Sequence, residues 1–129
     1  MAVFTDLELA YLNGQPLMRF ASASPTGRPD VATVAFSVEG DEIVTAGFNI
    51  AKTLRYRNIA DNPRAMVVID DLAAVDPWSP RGIKIRGAAR IEGDPGGERF
   101  RIVPEVIWSW GVNNPGPGIP EMERRTVGS

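Results

Sequence analysis

The residues best suited to chemistry gather in one stretch, Gly47-Phe48-Asn49-Ile50-Ala51-Lys52-Thr53-Leu54-Arg55-Tyr56-Arg57-Asn58. The pattern reads as a strand running into a helix whose start carries polar side chains and two cations, Lys52 and Arg55, one turn apart. Free N–H groups and the positive end of the helix dipole attract an anion at such a start. Basic residues there oppose the dipole unless an anion compensates. That points to a phosphate, which Arg55 would grip through its planar fork. The same residues also read as a helix capped by Thr53 with solvated charges.

Composition narrows what such a site could serve. The 129 residues contain no Cys and no His. Disulfides, thiol nucleophiles, imidazole bases, Ser-His-Asp triads and nearly all zinc or iron sites are thereby excluded, and no metal site is expected. If the chain is an enzyme, a bound cofactor supplies the hard chemistry. A net charge of −2 offers no field for nucleic acid. The start, MAVFTDLELAYL, lacks a basic region and is not a signal peptide. No apolar run approaches the ~20 residues that span a bilayer, so a cytoplasmic protein is expected. Lys occurs only at positions 52 and 84, and the bias to Arg, Ala, Gly and Pro suggests a GC-rich bacterial genome.

The elements that position the site follow from periodicity. Thr5 with Glu8 is a capping box opening a short helix that ends at Asn13-Gly14. Residues 17–24, 31–38 and 42–48 are strand-like, and their tight Pro/Gly turns imply an antiparallel meander. Residues 49–62 change to helical spacing, closed by Asn62-Pro63. Strands are expected again at 65–69, 82–92 and 100–110, the last with Pro104 at an edge or bulge. Asp70-Asp71 reads as a solvated strand end. The Pro/Gly-rich tail from about residue 113 is expected to be irregular. The sum is a single domain over 1–129, mainly β, with six antiparallel strands closing into a small barrel.

Three segments in this order carry a resemblance. Ser22-Ala23-Ser24-Pro25-Thr26-Gly27-Arg28-Pro29-Asp30-Val31-Ala32-Thr33-Val34 resembles the opening hairpin of the pyridoxamine-phosphate-oxidase-like split barrels. Arg55-Tyr56-Arg57-Asn58-Ile59-Ala60-Asp61-Asn62-Pro63-Arg64 resembles their helix after the third strand, and Gly82-Ile83-Lys84-Ile85-Arg86-Gly87-Ala88-Ala89-Arg90-Ile91 a later strand. Ile102-Val103-Pro104-Glu105-Val106-Ile107-Trp108-Ser109-Trp110-Gly111 is similar to the closing strand of the actinobacterial branch that uses the deazaflavin coenzyme F-420. Oxidation of pyridoxamine phosphate itself is not expected, since the Arg and His that serve it have no His counterpart here.

The resemblance implies a six-stranded, FMN-binding-like split β-barrel, a homodimer with cofactors at the subunit interface, and hydride transfer between F-420 and a small organic substrate. It implies ring contacts at Thr33, Val34, Ala35, Ala46 and Gly47, and phosphate contacts at Asn49, Lys52, Thr53 and Arg55. Asn58 matches a polar helix position that is either structural or functional. FMN is the alternative cofactor, because it shares the phosphate and the tricycle. A polyglutamyl tail, present only in F-420, would favour further cations, for which Arg57, Arg81 and Arg86 are candidates. Trp78, between prolines, and Trp110 are candidate contacts to substrate or second subunit; Trp108 and Trp110 share one strand face. Two other readings compete: a barrel binding single-stranded nucleic acid, disfavoured by net acidity, and a cofactor carrier without turnover.

Overall fold

The computed structural model describes residues 2–128. Helix α1 (Asp6–Asn13) starts on the expected capping box: the Glu8 amide donates to Thr5 Oγ1, and the Thr5 amide to Glu8 Oε1. Strands β1 (Leu17–Ala23), β2 (Pro29–Ala35), β3 (Ser37–Glu39) and β4 (Glu42–Ala46) follow. A 3-10 turn over Ile50–Lys52 leads into α2 (Leu54–Asp61), capped by Thr53. Strands β5 (Arg64–Ala74), β6 (Ser79–Glu92), β7 (Arg99–Trp110) and β8 (Met122–Thr126) complete the chain.

All strands join one antiparallel sheet in the order β2-β1-β5-β6-β7-β4-β3, with β8 added to β7. Only Phe36 separates β2 from β3, so the two ends of the curled sheet are continuous in the chain. The split lies between β2 and β4, where the Thr45 hydroxyl donates to the Ala35 carbonyl at 2.6 Å. Alternating side chains fill the interior with Met18, Phe20, Ile43, Ile69, Ile83, Ile85, Phe100, Ile102 and Ile107, all essentially inaccessible to water. Phe20 and Phe100 meet edge to face at 5.2 Å, and Tyr56 of α2 approaches Phe100 at 6.3 Å. That contact docks α2 on the core and sets where its first turn stands.

Three expectations change. Eight strands stand where six were expected: the 31–38 run breaks at Phe36 as the chain crosses the split, and the tail supplies β8. Residues 122–126 escape periodicity because this edge strand is built of charged side chains, as edges often are. Arg125 ties it inward by pairing with the fully buried Glu8. The strand expected over 65–69 runs on to Ala74 in register with β6; Asp70, on the surface beside Arg19, is exposed as expected, whereas Asp71 is half-buried against Arg81. Pro104 behaves as expected. The register slips there against Arg86 and Gly87, and any side chain on Gly87 would strike the Val103 carbonyl. No helix among the described residues is long and apolar enough to cross a membrane.

Candidate functional site

The split is flanked by the ends of β2 and β4 and closed below by the start of α2. Thr33 and Ala35 point outward from β2 and are exposed, whereas Val34 points into the core at 9% exposure. A flat ligand over β2 would meet Val34 through its backbone alone. Ala46 and Gly47, both exposed, end β4 on the other side of the split.

Asn49 turns the chain from β4 into the 3-10 turn. Its φ of 54° lies in the left-handed region, which Asn tolerates better than most side chains. Its carbonyl accepts from the Lys52 amide at 3.0 Å. Phe48 beside it is 91% exposed, an aromatic on the rim that no spacing pattern in the sequence sets apart. Both protons of Thr53 are committed. Its amide and its hydroxyl each donate to the Ile50 carbonyl, while the hydroxyl oxygen accepts from Tyr56 N. Thr53 therefore shapes the helix start and has no proton left for a ligand. Lys52 is exposed and takes part in no ion pair among the described residues.

Arg55 is the exceptional member. Its guanidinium folds back toward β4, where a Cβ on Gly47 would stand 3.6 Å from Nη2 and 3.2 Å from Ile50 Cγ2. A side chain there would pack directly against the guanidinium and press on Ile50. Arg55 Nε is buried and finds no hydrogen-bond acceptor among the described residues. A desolvated donor of a cationic group without a partner costs free energy that native structures rarely leave uncompensated. An anionic acceptor beside Arg55, with the free amides of the first α2 turn, would compensate it. A phosphate-bearing cofactor fits these residues.

Other polar positions have their own occupations. Asn58 is buried and donates to Ser22 Oγ at 3.1 Å, which fastens α2 to β1. Arg57 shares with Arg28 and Asp61 a groove of about 250 Å³ between α2 and the β1–β2 turn. Arg81, a candidate for a cofactor tail, is held by Asp71 through two bonds of 2.7 and 2.9 Å. That pairing holds the Asp71 carboxyl below the usual carboxylate range despite its partial burial. Burial, then the bond it donates to Asp71, pushes the Tyr11 phenol well above its ordinary value and keeps it protonated. Trp78 is 54% exposed in the β5–β6 turn, while Trp110 lies half-buried against Gly82, whose missing side chain makes room for its indole.

Comparison with known proteins agrees with this picture. A family profile described as pyridoxamine 5'-phosphate oxidase matches residues 4–112. A 5a,11a-dehydrotetracycline/5a,11a-dehydrooxytetracycline reductase of Streptomyces rimosus is 31% identical over 119 residues, 84% of each chain. Among solved structures, a heme binding protein from Mycobacterium smegmatis superposes with a TM-score of 0.72 at 18% identity. That match covers 95% of this chain and 58% of the longer neighbour. An F-420 reductase superposes with a TM-score of 0.64 at 19% identity, covering 76% of this chain and 93% of that one.

Proposed function

The chain belongs to the pyridoxamine 5'-phosphate oxidase family of split-barrel oxidoreductases, and from that membership we propose that it is a reductase using the deazaflavin F-420 to reduce a small organic substrate. The observation that carries the reading is Arg55: a buried guanidinium nitrogen without an acceptor, set against a glycine at the mouth of the split. The reductase activity in the name of the Streptomyces relative and the cofactor in the name of the structural neighbour support it.

In this reading Arg55 and the first amides of α2 bind the cofactor phosphate, and Lys52 adds a second charge from the solvent side. Thr53 and Asn49 hold the turn that presents them. Ala46 at the end of β4 and Gly47 after it, with Thr33, Ala35 and the Val34 backbone on β2, line the split for the ring. When bound, F-420 supplies a hydride from C5 of its tricycle; the chain contributes orientation and exclusion of water. Arg28 and Arg57 in the groove beside α2 stand close enough to the helix to meet an acidic tail, a role that Arg81, locked by Asp71, does not serve. The exposed Phe48 and Trp78 offer apolar surface for a second subunit in a cytoplasmic homodimer.

Parallel titrations of F-420 and FMN at two ionic strengths test the cofactor. F-420 is expected to bind more tightly, with a preference that narrows as the Debye length falls from ~10 Å at 0.1 M salt to ~3 Å at 1 M. The phosphate and ring contacts common to both cofactors remain. Tighter binding of FMN at low salt would assign the protein to the flavin enzymes, and binding of neither would overturn the redox reading.

A further inference from the structure

Thr45 of β4 stands where the curled sheet closes on itself without a ladder. β2 and β4 are not neighbours in the strand order, so no row of backbone hydrogen bonds joins them. The Thr45 hydroxyl crosses the split instead, to the Ala35 carbonyl at 2.6 Å. Thr45 is 2% exposed, so water does not replace either partner without cost. Among the described residues, no other side-chain hydrogen bond reaches β2.

The bond also fixes how β2 presents its backbone. In a strand the N–H and C=O of one residue point the same way, and those of the next residue the opposite way. The Ala35 carbonyl faces β4, so the N–H and C=O of Thr33 face the same open edge, away from β1. On the other side of the split, Thr45 pairs in register with Phe100 of β7, and Phe100 meets Tyr56 of α2. Two residues after Thr45, Gly47 borders the Arg55 guanidinium. One hydroxyl thus joins the strand that faces a ring to the wall that carries Arg55.

We propose, resting on the F-420 reading, that Thr45 is a positioning residue of the cofactor site. Through Ala35 it sets the separation between the ring-facing backbone of β2 and Arg55 at the start of α2. The ring and the phosphate belong to one molecule, so both contribute in full only when the two walls stand at the distance that molecule spans. Without the hydroxyl, the end of β2 is free to drift from β4, and a cofactor seated on Arg55 no longer meets the Thr33 backbone squarely. Thr45 itself, buried beneath the split, touches neither part.

Two variants of the intact protein test this by crossing shape against hydrogen bonding. Thr45→Val keeps the branched shape and deletes the hydroxyl; Thr45→Ser keeps the hydroxyl and deletes a buried methyl. Thr45→Val should bind F-420 about five- to tenfold more weakly, the scale of one hydrogen bond. The absorption spectrum of its bound cofactor should move toward that of the free cofactor. Thr45→Ser should bind as the parent does, although its unfolding temperature falls with the lost methyl. A purely structural residue would instead let affinity follow stability across the pair. Should the valine variant fold poorly, Thr45→Ala against Thr45→Ser makes the same comparison, because those two differ only by the hydroxyl. Equal F-420 affinity in parent and Thr45→Val, or a loss in Thr45→Ser as large as in Thr45→Val, overturns the proposal and leaves the redox reading standing. A parent that binds no F-420 overturns that reading and the role of Thr45 with it.

Discussion

Two charged side chains at opposite ends of the barrel show two uses of burial. Glu8 in α1 is wholly inaccessible, yet both of its carboxylate oxygens are occupied. Arg125 donates to each of them, Asn113 donates at 2.9 Å, and the Thr5 amide closes the capping box. Burial works to raise its pKa, but these bonds and the Arg125 charge outweigh it and hold the carboxyl below the usual range. Arg55 in α2 has a buried donor with nothing to receive it. Where the chain meets every demand of a buried charge, it has built a joint; where it leaves one open, the proposed phosphate would complete it.

Breaking the joint should have the largest effect. Glu8→Ala is expected to cost about 2–3 kcal/mol of stability in denaturant titrations. That lies under the 3–5 kcal/mol of a fully buried pair, because the Arg125 side chain is 37% exposed and can be rehydrated. Because the folded carboxyl titrates below its unfolded value, its contribution is complete above about pH 4.3 and is lost as pH falls through the folded value. The variant should therefore show a flatter acid limb than the parent, and an unchanged limb would remove Glu8 from the account. Cofactor affinity should not move.

The opposite pattern is expected at Arg55. Arg55→Met should leave stability equal or slightly raised, since it deletes a buried donor that has no acceptor. Cofactor binding should weaken by about 1.5–3 kcal/mol, the range for hydrogen bonds to charged groups. Fluorescence titration and thermal unfolding of the same preparation check both halves; a loss of stability without a loss of affinity would make Arg55 structural. Lys52→Ala sharpens the contrast with the smallest effect. The ammonium is already hydrated, so affinity should fall only about two- to fivefold, the scale of an exposed pair, and the loss should vanish at high salt.

How far these features were legible in the sequence follows the range of the interactions involved. The capping box at Thr5, the Thr53 cap and the strand alternation act over a few residues and were read directly. Pro104 announced a bulge, although its partner Gly87 had to be seen in register. The turn into α2 and the cations Lys52 and Arg55 beside it were legible, because the conflict with the helix dipole is local; that an anion binds there is the proposal. The space at Gly47 that receives the Arg55 guanidinium depends on how α2 docks on Phe100, and local patterning carries no trace of it. Arg125 with Glu8, and Asp71 with Arg81 and Tyr11, join residues far apart in the chain. Asp71 reads as solvent-facing, and Glu8 only as half of a capping box, until the distant partner is in place.

The Glu8–Arg125 pairing spans 117 positions, which bears on how the chain is made. During synthesis α1 leaves the ribosome early, with a carboxylate that cannot enter the protein interior alone. Its counter-charge is translated only after all seven other strands. Until then the segment of β7 from Val106 to Trp110 keeps a free edge with two tryptophans upon it, open to pairing with other chains. Completion of the fold waits on β8, and a nascent chain halted just short of Arg125 is the form most exposed to aggregation.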